Sequence, residues 1–213
     1  MQLTLSELSA GQKYHLLSSL VVPRPIAWVT TLNEDGSVNA APFSYFQLMG
    51  ENPPLVVLGI GRRPGGIAKD TLRNLHRTRE FVINIVTEEN AEKMNLCGTD
   101  FPEGMSEVQA LGLTIEPSVM VKPPRLAAAP AHLEGRELQT LLIGQNQIVM
   151  GELLAVHIRD EFIDAKTLRV HTEKMGIIGR LQGGGGSYTR TRNRFDLKRL
   201  TYDEWQASQA RGK

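Results

Sequence analysis

Short runs of apolar and β-branched residues, separated by Gly- and Pro-rich breaks, dominate this chain and predict a mainly β protein with short helices. Residues 26–32, Ile-Ala-Trp-Val-Thr-Thr-Leu, form the first such run, entered through Pro23-Arg24-Pro25. Asn33-Glu34-Asp35-Gly36 follows, and its Asp-Gly pair supplies the positive φ that a tight turn requires. Residues 38–49 return as a second extended segment, so the two read as a β-hairpin. Pro42 inside that segment cannot donate to a ladder, which argues for an edge, a bulge or a break. Residues 55–60 are a continuous apolar run bounded by Pro53-Pro54 and Gly59-Ile60-Gly61, and read as a third strand.

Helical spacing appears at Leu72 and Leu75, preceded by Asp70-Thr71 and flanked by Lys69, Arg73 and Arg77. Residues 80–86 read as a strand, 88–96 as a short helix and 104–111 as a candidate third helix. Residues 131–140 and 147–159 read as two longer strands. Strands do not alternate with long helices, so a doubly wound parallel sheet is disfavoured and an antiparallel barrel fits better. By the two-residue period His132, Glu134 and Arg136 share one strand face, either a salt-bridged surface or the polar rim of a ligand site. The run Gly183-Gly184-Gly185-Gly186-Ser187 has a linker composition, yet it could equally let the backbone approach a ligand closely. Residues 202–213 are polar and are expected to fray.

Composition narrows the class. Of 213 residues, 41% are hydrophobic and 22% charged, enough for one sizeable core, so a single domain over residues 1–213 is expected. The formal net charge of +1 offers no strong field, so neither nucleic acid nor membrane is expected as a partner. One cysteine, Cys97, excludes an intramolecular disulfide and suits a reducing cytosol. Residues 1–9 lack the basic start and apolar core of a signal peptide, and no apolar stretch is long enough to span a bilayer. A cytoplasmic globular protein is therefore expected.

Several familiar chemistries find no support. Gly59-Ile60-Gly61 follows a strand, but Pro64 stands where a dinucleotide fingerprint needs its third glycine, and no βαβαβ continuation follows. Gly-x-Ser-x-Gly and Walker patterns are absent. The five histidines are scattered without ligand spacing, so no metal is expected. Cys97, at the end of a helix signal, reads as a buried small residue.

Three clusters remain: residues 23–31 (Pro-Arg-Pro-Ile-Ala-Trp-Val-Thr-Thr), 39–46 (Asn-Ala-Ala-Pro-Phe-Ser-Tyr-Phe) and 69–74 (Lys-Asp-Thr-Leu-Arg-Asn). The hairpin sets the first two side by side. The third offers a cation, a hydroxyl and helix-start amides at one place, which suits a phosphate monoester. Singly, Trp28 could just fill the core and Asp70-Thr71 could just cap a helix.

In order and approximate spacing these clusters resemble the flavin reductase-like, FMN-binding split-barrel family. Glu80-Phe81-Val82-Ile83-Asn84 and the late Gly179-Arg180-Leu181, with its glycines, Tyr188 and Arg190, agree with it too. The resemblance spans roughly residues 16–197. It implies a six-stranded antiparallel Greek-key split barrel, a homodimer, and FMN near the subunit interface. It places Thr30 and Thr31 along the flavin ring or ribityl chain, and the backbone of Ala41, Pro42, Phe43 and Ser44 at the ring edge. Lys69, Asp70 and Thr71 would hold the phosphate end, with Arg24 as helper. Asp70 repels phosphate, so its expected work is to orient Lys69 or cap the helix. The implied activity is hydride transfer from NAD(P)H to flavin, with no protein acid or base required and a partner oxygenase as one recipient of the reduced flavin. The alternative is a flavoprotein electron carrier or FMN-binding module without nicotinamide turnover. One departure stands out: the family often carries a cysteine where this chain has Gly135, which leaves a thiol role there unsupported.

Overall fold

The computed structural model describes residues 1–184 and 186–210. In chain order its strands begin with β1 (Ala27–Leu32), β2 (Val38–Phe43), β3 (Phe46–Glu51), β4 (Pro54–Ile60) and β5 (Glu80–Ile85). They continue with β6 (Ile115–Glu116), β7 (Arg125–Leu126), the long β8 (Ala131–Ile143) and β9 (Asn146–Ile158), and the short β10 (Ile163–Asp164), β11 (Arg169–Val170), β12 (Ile178–Arg180) and β13 (Tyr188–Arg190). The helices are α1 (Ala10–Leu20), α2 (Asp70–Thr78), α3 (Ala91–Leu96), α4 (Glu107–Ala110), α5 (Thr172–Met175) and α6 (Tyr202–Ala210).

Seven strands form the main sheet in the order β2-β1-β5-β8-β9-β4-β3, with every neighbouring pair antiparallel. Its two outer strands, β2 and β3, are consecutive in the chain. The sheet therefore curls until one stretch, residues 38–51, borders it on both sides, and the barrel is split where that stretch breaks at Ser44-Tyr45. The Gly59 amide donates to the Tyr45 carbonyl across the break at 2.7 Å. The fold is a mainly β split barrel. The segment expected to run unbroken over residues 38–49 is thus two strands, which brings the sheet to seven. Pro42 sits on β2, where an edge strand tolerates a missing donor.

Side chains along β1 alternate between two cores. Ala27 and Val29 join Phe43, Leu58, Phe81 and Ile83 on one face, together with Leu72 and Leu75 from α2. Trp28 packs on the other face with Met94, Cys97, Val108 and Leu126, contributed by α3, α4 and the segment leading to β8. The indole is fully buried and serves that core.

Four expectations change. The N-terminal helix α1 escaped notice because its exposed surface carries no apolar stripe, with Ser18 its one buried residue. Its capping box, Ser9 with Gln12, was the available signal. The glycine run packs against this helix: a Cβ on Gly183 would meet Tyr14 and Ser18 at 2.5 Å, and Gly184, at φ +83°, lies against His15. Those two glycines serve close packing against α1, neither a free linker nor an approach to a ligand; Gly185 lies outside the described residues. Residues 202–210 of the stretch expected to fray form the exposed helix α6, while 211–213 lie outside the described residues. Finally, the face shared by His132, Glu134 and Arg136 keeps its register against β5, and the bulge after Glu134 lies on β9 at Leu154, yet the three residues differ in burial and partner. His132 and Glu134 are buried, and Glu134 pairs with His157 at 2.5 Å, whereas Arg136 points outward to Glu152 at 3.7 Å.

Candidate functional site

A trough runs along β2 and is walled by residues from distant parts of the chain. Its deeper part, about 80 Å³, is lined by Asn39, Ala41, Arg63, Lys69, Thr71 and Glu107 among others. Its wider part, about 310 Å³, is lined by Tyr14, Phe43, Ser44, Asn95, Arg180 and Tyr188 among others. Pro42 and Gly98 border both, so the two parts are continuous.

The deeper part is built on the start of α2. Lys69 is its N-cap residue and Asp70 the first helical residue, and the cap receives no side-chain hydrogen bond. The first amides of the helix have no intrahelical acceptor and face outward with the positive end of the dipole. Lys69 lies 5.5 Å above the Phe43 ring centroid and makes no ion pair within 4.0 Å among the described residues. Burial lowers its pKa, countered in part by Asp100 and reinforced by Arg63. Thr71 accepts a hydrogen bond from Asn39 Nδ2 at 3.0 Å, which leaves the hydroxyl proton free to donate.

Asp70 neither caps the helix nor pairs with Lys69. Its carboxylate, almost wholly buried, is held by Arg63 Nη2 at 2.5 Å and by Arg73. Arg63 reaches it because Pro64-Gly65-Gly66 turns the chain, with Gly65 and Gly66 at φ +78° and +79°, values that glycine adopts without strain. Glu107 is a residue that sequence reasoning missed. It accepts the Ala40 amide at 2.9 Å, and burial raises its pKa, as does Asp70, while the Ala40 bond and Arg63 lower it.

The other candidates sit differently. Thr30 and Thr31 are buried behind the trough. The Thr30 hydroxyl donates to Pro124 O at 2.6 Å, and Thr31 Oγ1 receives Asn74 Nδ2 at 3.0 Å and Asn39 Nδ2 at 3.2 Å. Ala41 lines the deeper part, and Phe43 and Ser44 the wider part. Arg24 is buried away from Lys69. Its guanidinium donates to the carbonyls of Ser18, Val21 and Leu181, and its Nε to Ser44 Oγ at 3.4 Å. Cys97 borders the deeper part, but burial, with Glu107 adding to it and Trp28 opposing, pushes its thiol up to about 12, so it stays protonated at neutral pH. Among the described residues no group of three His, Cys, Asp or Glu side chains is placed to hold a metal ion.

A cation without an ion pair, a free hydroxyl proton and unpaired helix-start amides fit a phosphate ester. The wider part, with the aromatic walls of Tyr14, Phe43 and Tyr188, fits a planar ring system. The residues present therefore fit a flavin nucleotide.

Comparison with known proteins agrees. Residues 18–179 match the flavin reductase like domain. An uncharacterized protein of Deinococcus radiodurans is 46% identical over 207 residues, which is 95% of this chain and 91% of that protein. The crystal structure of Pseudomonas fluorescens 2-nitrobenzoate 2-nitroreductase is 40% identical, with a TM-score of 0.86 over 95% of this chain and 98% of that one. Nitrilotriacetate monooxygenase component B from Bacillus cereus is 28% identical, with a TM-score of 0.87 over 92% and 98%. With the split barrel and a family match over residues 18–179, the chain belongs to the flavin reductase-like family of oxidoreductases.

Proposed function

We propose that this protein binds FMN and oxidises NAD(P)H, passing the reducing equivalents through the flavin to a further acceptor. The observation that carries the reading is the state of Lys69: desolvated, without an ion pair among the described residues, and next to the Thr71 hydroxyl and the start of α2. Asp70 would repel the phosphate, but Arg63 and Arg73 already occupy its oxygens, which leaves the Lys69 ammonium group without an ion pair among the described residues although Asp100 and Glu107 line the same cavity.

Lys69, Thr71 and the α2 amides hold the phosphate. Pro42, Phe43 and Ser44, which line the wider part of the trough, would hold the ring. Thr30 and Arg24 act from behind as positioning residues, because their donors are already bonded to protein carbonyls, and Thr31 joins them because it is buried and lines neither part of the trough. The flavin, when bound, supplies the hydride and electron transfer; the chain supplies binding, orientation and partial exclusion of water. The names of two relatives, a nitroreductase and a monooxygenase component, support onward transfer either to an organic acceptor or to a partner oxygenase. Exposed apolar side chains such as Leu48, Met49, Leu142 and Ile143 suit a homodimer.

The test is NAD(P)H oxidation by purified protein with added FMN. Turnover well above the flavin-only background supports the reading. FMN binding without turnover would point to an electron carrier, and FMN that fails to raise the melting temperature at saturation would remove the flavin assignment.

A further inference from the structure

Two cationic centres stand along the trough, whereas flavin mononucleotide brings one charged group, its phosphate. Under the reading proposed above, Lys69 and the start of α2 account for that phosphate. Arg180, in the wider part, is left over. Among the described residues no carboxylate lies within 4.0 Å of it, and none of the residues lining this cavity is acidic.

The position of Arg180 is tightly set. Its backbone exchanges two hydrogen bonds with Arg24, from the Arg24 amide at 2.9 Å and to the Arg24 carbonyl at 2.8 Å. A Cβ on Gly179 would meet Pro23 Cβ at 2.7 Å, so the glycine before Arg180 permits this close approach. The guanidinium centre lies 4.8 Å from the ring centroid of Tyr188, its cross-strand partner on β13. Tyr188 in turn donates through Oη to Asn95 Oδ1 at 2.9 Å, which ties the ring to α3. A guanidinium held over an anchored ring has lost part of its conformational freedom before any ligand arrives, and its fork matches a planar carboxylate. Pro42, Phe43 and Ser44 belong to the flavin ring under that reading, so Tyr14 and Tyr188 supply the aromatic surface on the Arg180 side of the same cavity.

We propose that the Arg180–Tyr188 wall is a subsite that selects planar aromatic carboxylates as ligands beside the flavin. One cation, aromatic walls and no acidic residue suit a singly charged aromatic acid. A pyrophosphate, as in a nicotinamide dinucleotide, carries more charge than this single arginine balances. The proposal rests on the flavin reading for what lies next to the ligand; the anion recognition belongs to Arg180 itself.

The test is calorimetric titration of the FMN-loaded protein with benzoate, the isosteric neutral benzamide, acetate and inorganic pyrophosphate, with bound FMN followed by its visible absorbance. Benzoate is expected to bind about tenfold or more tightly than benzamide, as a charge-assisted hydrogen bond contributes, and more tightly than acetate. Arg180→Met should erase the preference for benzoate over benzamide, whereas Arg180→Lys, which keeps the charge but loses the planar fork, should retain part of it. Equal affinity for benzoate and benzamide, or a preference that survives Arg180→Met, overturns the proposal. So does pyrophosphate binding more tightly than benzoate, or benzoate expelling FMN, which would make the cavity the flavin's own. If FMN does not bind at all, the proposed function fails separately. The same titration on flavin-free protein then decides the subsite, with the benzoate preference upholding it and its absence overturning it.

Discussion

Lys69 holds its ammonium group 5.5 Å from the centre of the Phe43 ring. The last residue of β2 and the residue that caps α2 thus form one wall, although 25 positions and two further strands separate them in the chain. Contact with an aromatic face compensates part of the cost of burying the cation. It leaves all three ammonium protons available to an incoming anion.

Lys69→Ala is expected to weaken FMN by about ten- to a hundredfold, the range for a hydrogen bond between charged groups, and to change riboflavin, which lacks the phosphate, far less. Fluorescence titration of both flavins against both proteins measures this. Equal losses would mean that the phosphate lies elsewhere.

Asp70→Asn should cost stability through the arginines it abandons. Arg63 and Arg73 share one carboxylate that is only 5% exposed, while the arginines themselves are 22% and 36% exposed. Because both cations keep access to solvent, the loss should be about 1–3 kcal/mol, below the range for a fully buried pair. Urea unfolding checks it. FMN should bind no more weakly to the folded variant, since a negative charge has left the phosphate site.

Gly135 is set by Phe81. A Cβ at Gly135 would stand 2.5 Å from Phe81 Cζ, and one at Gly151 2.6 Å from the same atom. Gly135→Ala is therefore expected to destabilise by about 1–3 kcal/mol, the usual cost of overpacking. In a Phe81→Leu background the same change should cost distinctly less. Additive losses in the double mutant would disprove the coupling.

Stability should fall on mild acidification because of His132. Its Nε2 donates to the Leu126 carbonyl at 3.0 Å, and its Nδ1 is buried without a partner among the described residues. Burial, aided by Arg125 and His157 and opposed by the Leu126 carbonyl and Glu116, lowers its pKa below 6.5. Between the folded value and 6.5 the unfolded chain binds more protons, so stability is complete above about pH 6.5 and declines as pH drops through that window. Burial alone would raise Glu134, but the Val119 and Met120 amides and His157 outweigh it and hold it below 4.5, so its own contribution is lost only at lower pH. Urea midpoints of wild type and His132→Gln between pH 5 and 7.5 test this; the variant should show a flatter profile.

The short β-branched runs, the Asp-Gly turn and the Leu72/Leu75 spacing made most of the main strands and α2 legible, because period and turn chemistry are local properties. The three clusters were legible as family motifs for the same reason: each is a short contiguous stretch. Where reading failed, the cause was a contact between distant segments. Ser44-Tyr45 breaks an apparently continuous strand because the sheet must curl there, and nothing within the segment itself announces that. The face of His132, Glu134 and Arg136 divides because His157 of β9 meets the buried Glu134 whereas Arg136 stands exposed beside Glu152, partners that β8 by itself does not reveal.

The amino-acid sequence by itself determined the class of fold, the family and the stretch around Lys69, Asp70 and Thr71 on which a phosphate site could be built. Tertiary structure decided what those residues do. It delivered Arg63 to Asp70 through the turn at Gly65-Gly66, and with that freed Lys69 from its neighbouring carboxylate. It withdrew Arg24, Thr30 and Thr31 into protein hydrogen bonds, and it brought Arg180 and Tyr188 from the far end of the chain to face the wider part of the trough. The physical reason is that a charge acts on whatever lies within a few ångströms, and in a barrel those neighbours come from any part of the chain.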